Sequence, residues 1–167
     1  MNLEFTVFGK PETAGSKRAF TLPGKGSGKP RAHVVDANPK TKNWQGQVAT
    51  AAKQYWPGPL TTGPVFVKTQ FYFVRPKGHY GTGRNAGKLK PSAPHNMLKT
   101  PDVDKLERAV LDALKGVLYV DDKQVFRVRK FKRYGDYGEP PGVSIHIVAR
   151  PEPVTHADLK QWKGEPQ

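Results

Sequence analysis

Thr100-Pro101-Asp102-Val103-Asp104-Lys105-Leu106-Glu107-Arg108-Ala109-Val110-Leu111-Asp112-Ala113-Leu114-Lys115-Gly116-Val117-Leu118-Tyr119-Val120-Asp121-Asp122-Lys123-Gln124-Val125 is the best-patterned stretch of the chain, and its reading decides the fold. Leu106, Val110, Ala113 and Leu114 recur at a helical period, which predicts a helix over 103–115 with Gly116 ending it. Asp102, Asp104, Asp112, Asp121 and Asp122 all stand around that helix, in a chain of net charge +14. Acid concentrated there in so basic a protein asks for a chemical reason.

Downstream, 117–120 leads through Asp121-Asp122 into a strand over 124–134. Its alternation is imperfect: Phe126 and Val128 share one face and Phe131 falls on the other, as a bulge or a two-sided strand would produce. Val143, Ile145, Ile147 and Ala149 predict the last strand. Upstream, Val65, Val67, Phe71 and Phe73 alternate through a strand over 65–75, expected to be central. A helix over 41–56 carries Trp44, Val48, Ala52 and Tyr55 on one stripe, and Pro57-Gly58-Pro59 stops it. Leu3, Phe5 and Val7 mark an N-terminal strand. Residues 9–38 and 76–99 are Gly-, Pro- and Lys/Arg-rich loops, the first with a short strand near 32–35.

That order predicts an α+β fold: one small domain over 1–151 with a mixed β-sheet and two main helices on one side. Residues 152–167 form a tail with a short helix capped by Thr155. A chain of 167 residues supports one core.

Lys and Arg number 28 against 14 Asp and Glu, so a polyanionic partner is expected, nucleic acid before a membrane surface. Neither a basic amphipathic helix nor a bilayer-length apolar run is present. Cysteine is absent, which excludes disulfides and thiolate metal sites. The N-terminus lacks signal-peptide character, and a cytoplasmic location in a bacterial cell is expected. The five histidines have no helical ligand spacing, and Gly24-Lys25-Gly26-Ser27-Gly28-Lys29 lacks the spacing of a nucleotide-binding P-loop.

Two accounts of the aspartates compete. With Asp102 still extended before the helix, Asp102 and Asp104 can converge on one ion, and Asp122 can return beside them after the turn. Such hard oxygen ligands suit Mg²⁺ or Mn²⁺. Alternatively Asp102 is an N-cap, Asp104 a favourable first-turn charge, Asp121-Asp122 a plain turn, and Asp104–Arg108–Asp112 a surface ion-pair row. Caps and turns are the usual work of Asp, so spacing alone favours the second account.

Pro101-Asp102-Val103-Asp104, Leu111-Asp112-Ala113-Leu114-Lys115-Gly116-Val117 and Asp121-Asp122-Lys123-Gln124-Val125 together resemble the RusA family of Holliday-junction resolvases, common in phages and prophages. The N-terminal strand running into Gly9-Lys10-Pro11 and a basic loop adds to the resemblance. It implies that Asp102, Asp104 and Asp122 hold Mg²⁺, with Mn²⁺ as a substitute, in a homodimer that binds a four-way DNA junction and nicks two strands. Asp112 matches the family in a supporting role. The family's catalytic lysine, four residues after the second aspartate, is Arg108 here, and its preceding Asn is Lys105, so both cations are candidates for assisting catalysis. Arg108 lies about 40° around the helix from Asp104 and Lys105 about 100°. Lys10, Lys17, Arg18, Arg31, Lys77, Arg84, Lys99, Lys123, Arg127, Arg129, Lys130, Lys132 and Arg133 are expected on the DNA backbone. A noncatalytic branched-DNA-binding protein of the same fold and a flap or branch nuclease are the alternatives.

Overall fold

The computed structural model describes residues 1–15, 17–22, 29, 31–36 and 38–150, so the tail over 152–167 and its expected helix lie outside the described residues. Four strands form one mixed sheet: β1 (Asn2–Phe8), β4 (Val65–Phe73), β5 (Val125–Tyr134) and β6 (Gly142–Ala149), in the order β1-β6-β4-β5. β6 runs antiparallel to both β1 and β4, while β4 and β5 are parallel. The parallel pair requires a crossover, and α2 (Val103–Leu114) lies in it. α1 (Thr41–Tyr55) packs against α2 and β1.

One face of the sheet and the two helices share the core. Phe5 and Val7 of β1, Val65, Val67 and Phe71 of β4, and Val143, Ile145 and Ile147 of β6 are buried with Trp44, Val48 and Ala52 of α1. Leu106, Ala109, Val110 and Leu114 of α2 complete it, with Leu118 and Tyr119 just beyond the helix. The periodicities select most of these residues, though not Ala109, Leu118 or Tyr119. Tyr55, expected inward, is 55% exposed and stacks on Phe5, because the stripe rotates outward in the last turn.

The first basic loop is not structureless. It holds a separate antiparallel ribbon, β2 (Lys17–Leu22) with β3 (Arg31–Asp36), which includes the strand anticipated near 32–35. Every residue of β2 is exposed, so no alternation of apolar residues could announce it.

The irregular pattern in β5 has both expected sources, a two-sided strand and a register shift: Val65 pairs with Val125, but Phe66 pairs with Arg127. Phe126 is the extra residue, and past it the parity switches. Val128, Lys130 and Lys132 then point to the helix side with Val67, Thr69 and Phe71, while Arg127, Arg129 and Arg133 share the other face with Phe66, Lys68 and Tyr72. Arg127 lies over Phe66, Arg129 over Phe131 and Arg133 over Tyr72. The basic strand is therefore two rows of cations serving opposite faces.

Candidate active site

The approach to α2 is held from three sides. Lys132 on the helix side of β5 donates from Nζ to the carbonyls of Lys99 and Pro101, 2.6 Å each, fixing the segment that delivers Asp102. The Ala14 amide donates to the Lys105 carbonyl at 2.9 Å, laying the loop after β1 along the first turn. Asp102 occupies the N-cap position in extended conformation, yet its side chain caps nothing. Its Oδ2 lies 3.1 Å from Lys105 Nζ instead. The capping account of Asp102 therefore fails, and its carboxylate is turned outward to a cation.

Asp104 and Arg108 are both exposed, and among the described residues they form no ion pair, which removes the expected surface row at its first link. Arg108 packs instead against Gly15. That glycine has φ +94°, and a Cβ placed there would come within 2.8 Å of Arg108 Nη1. Gly15 thus leaves the space the guanidinium fills.

Beyond the C-terminal end of α2 a second set assembles. Asp121 begins a short 3₁₀ turn over Asp122–Gln124, accepting from the Lys123 amide in a capping box with Gln124. Gln124 is the anchor: its Oε1 accepts from the Val120 and Asp121 amides, and its Nε2 donates to the Thr61 and Gly63 carbonyls. The turn account fits Asp121 but leaves Asp122 without a part in it. Lys115 Nζ lies 3.2 Å from Asp121 and 3.8 Å from Asp122, and Asp122 Oδ1 is buried with no hydrogen-bond partner. The bond to Asp121, with the fields of both aspartates, raises the Lys115 pKa above its ordinary value. The Lys123 amide first, then Lys115, holds Asp121 below the usual carboxylate range. Nearby Tyr119 is pushed up by burial, then by the charges of Asp122, Glu107 and Asp112, and its hydroxyl donates to the Leu111 carbonyl.

Between the two ends, Glu107 points under the helix. It is only 3% exposed, accepts a hydrogen bond from the Thr69 hydroxyl, and leaves Oε1 buried without a partner among the described residues. Burial raises its pKa to about 7, against the lowering pull of Thr69 and of Lys130, which pairs beside Thr69 on β5. Sequence reading passed over Glu107 because i+3 from Asp104 resembles an ordinary surface position. Lys115 was passed over as well, although its place just before Gly116 puts it within a side chain's reach of the aspartate turn.

Of the expected ligands, Asp102 is thus engaged at the start of α2 and Asp122 near its end, on a helix of 12 residues. Among the described residues no three His, Asp or Glu side chains are gathered closely enough to hold a metal ion. The expected DNA contacts are spread: Lys17, Arg18 and Arg31 on the exposed ribbon, Lys77 and Arg84 in 3₁₀ turns, and Lys10, Lys99 and Lys123 exposed around α2 and its flanking loops. Lys130 and Lys132 face the helix side, with Arg127 and Arg129 opposite. No helix among the described residues is long and apolar enough to cross a membrane.

A small mixed sheet whose crossover helix is flanked by carboxylates at both ends makes this an α+β domain. The model of the endodeoxyribonuclease RusA family matches residues 23–148, and the chain belongs to that family. It is also 34% identical over 150 residues to the uncharacterized protein YqaN of Bacillus subtilis (strain 168), covering 87% of this chain and 94% of that one.

Proposed function

We propose that this protein is a magnesium-dependent endonuclease that resolves four-way DNA junctions as a homodimer. Membership in an endodeoxyribonuclease family supports the reaction class. The observation that carries the site is Asp122, whose Oδ1 is buried without a partner while its Oδ2 faces an ammonium. An acceptor left in that state is one a cation would satisfy, and the oxygen donors of Asp102, Asp104 and Asp122 suit Mg²⁺ or Mn²⁺.

These three aspartates would hold the ion. When bound, it would polarise the scissile phosphodiester, activate water and offset charge developing in the transition state. Closing the ligand set requires Asp102 and Asp122 to leave Lys105 and Lys115. Both ion pairs are about half exposed, and exposed pairs are weak enough to exchange. The released ammonium groups then stand beside the cut strand. Arg108, which has no carboxylate partner among the described residues, is the better placed to hold a phosphate oxygen. The two-fold symmetry of a dimer would match paired cuts, and sedimentation showing a monomer where junctions are cut in pairs would contradict it.

The deciding assay offers labelled four-way junction and linear duplex with Mg²⁺, Mn²⁺ or EDTA. Junction cleavage in either metal but not in EDTA is expected. Asp102→Asn, Asp104→Asn and Asp122→Asn should each abolish cleavage and retain junction binding. Binding without cleavage in both metals would favour a noncatalytic branched-DNA-binding protein, and preference for flaps would favour the branch-nuclease alternative.

A further inference from the structure

A cleft of about 390 Å³ opens between the loop after β1 and the segment leading to α2. One side of its mixed lining is apolar: Pro11 and Phe73 are buried, while Met97 and Pro101 are partly exposed. Proline has no amide hydrogen to offer, so this side of the slot favours the face of a flat ring over a polar chain. One wall carries Glu12. Its Oε2 accepts from the Asn38 side chain at 2.7 Å, whereas among the described residues Oε1 has only a distant contact, 4.0 Å to Lys10 Nζ. A carboxylate oxygen can accept more than that, so a donor entering the cleft finds an acceptor waiting. Lys10 itself stands at the mouth, its side chain 73% exposed.

The position of the cleft gives it a meaning. Pro101 in its wall immediately precedes Asp102, and Ala14, next to Thr13 in its wall, is bonded to Lys105 in the first turn of α2. Whatever occupies the cleft lies beside the proposed cutting position. Resting on the nuclease reading above, we propose that the cleft is a subsite for one unstacked nucleobase bearing an amino group, adjacent to the scissile phosphate. The volume suits a single small ring system. Glu12 takes the amino hydrogen as carboxylates do in base recognition, and Lys10 meets the flanking phosphate.

Magnitudes connect this subsite to branch selection. Drawing a base out of a duplex costs its stacking and pairing, and less where stacking is already broken. Stacking against the exposed part of an aromatic wall offsets much of that cost. Within linear duplex the two nearly cancel. At a branch point the cost falls and capture wins, so the cleft favours branched DNA without reading its shape.

The test uses the intact protein and four-way junctions carrying 2-aminopurine at each nucleotide flanking the branch, in EDTA so that no cutting is needed. Fluorescence is expected to rise by about threefold at one position, as for a base leaving its stack. Thr100→Trp, which fills the exposed rim of the cleft, should remove the rise. In magnesium, Glu12→Gln should reduce the preference for an amino-bearing base over thymine at that position by about tenfold, the worth of one hydrogen bond to a charged acceptor. Bound and cut junctions with no rise at any position, or a rise unchanged in Thr100→Trp, overturn the subsite and leave the nuclease reading intact. Absence of junction binding overturns both.

Discussion

Replacing Glu107 with Gln should make the protein more stable at alkaline pH and flatten its pH dependence. Glu107 is 3% exposed, and burial outweighs the Thr69 hydroxyl and Lys130 in raising its pKa from 4.5 to about 7. A folded-state pKa above the unfolded value means the fold favours the protonated acid. Stability is therefore complete below pH 4.5 and is lost as pH rises through 7. At about 1.36 kcal/mol per unit, the full loss is about 3 kcal/mol, most of it falling between pH 5 and 8. Gln keeps the shape and an oxygen for the Thr69 hydroxyl but cannot ionise. Its amide would meet the same empty surroundings as Oε1, a pH-independent cost of about 1–3 kcal/mol. Urea denaturation of both proteins from pH 5 to 8 isolates the effect in their difference, where other titrating groups cancel. The difference should shift by about 2–3 kcal/mol in favour of Gln across that range. A difference constant within about 0.5 kcal/mol would refute the reasoning, since Glu107 would then ionise in the fold at no cost.

Lys115→Ala should lower the Mg²⁺ concentration needed for half-maximal cleavage by about two- to fivefold, because an exposed ion pair no longer competes for Asp122; a raised requirement would mean that Lys115 helps assemble the site. Gln124→Ala removes four hydrogen bonds that hold the Asp121-Asp122 turn and should destabilise the fold by about 2–3 kcal/mol, read by urea denaturation. Arg108→Ala should slow single-turnover junction cleavage by about tenfold or more, and Lys105→Ala by less, since Lys105 is already committed to Asp102. The opposite order would reverse the assignment. Gly15→Ala should reproduce part of the Arg108→Ala defect, because its Cβ would meet the guanidinium 2.8 Å away; normal cleavage would separate Arg108's position from its effect.

What the sequence made legible follows from burial on one face. β1, β4, β6 and both helices each bury a single periodic stripe, so their apolar spacing locates them to within a residue or two. The irregularity of β5 was legible as a bulge or a two-sided strand, and the strand carries both a register shift and side chains on two faces. The β2–β3 ribbon was half missed: it pairs with no sheet, and the basic, glycine-rich composition around it reads as loop. In the site, the family pattern marked Asp102, Asp104 and Asp122 where spacing alone favoured caps and turns, and spacing could not reveal which cation each carboxylate meets. Lys105 and Lys115 find Asp102 and Asp122 through side-chain reach, and Glu107 finds Thr69 through tertiary packing between α2 and β4. Neither leaves a periodic trace.

Two kinds of ion pair stand apart among the described residues. Glu139 is gripped in two places by Arg133, at 2.9 and 3.0 Å, with side chains only 14% and 26% exposed and the guanidinium stacked on Tyr72. A planar fork locked in that way is a structural fastener, hard to exchange for anything else. The pairs beside α2 have the contrary character. Each is a single contact from a lysine, a flexible point charge, to a carboxylate that water also reaches. Such pairs keep like charges from repelling one another in the resting protein, yet yield readily to a divalent ion or a phosphate. A chain with twice as many basic as acidic residues could have met every carboxylate with arginine. That it places lysine at Asp102 and Asp122, and arginine at Glu139, is the arrangement expected if the first two must be released during the reaction and the third must not.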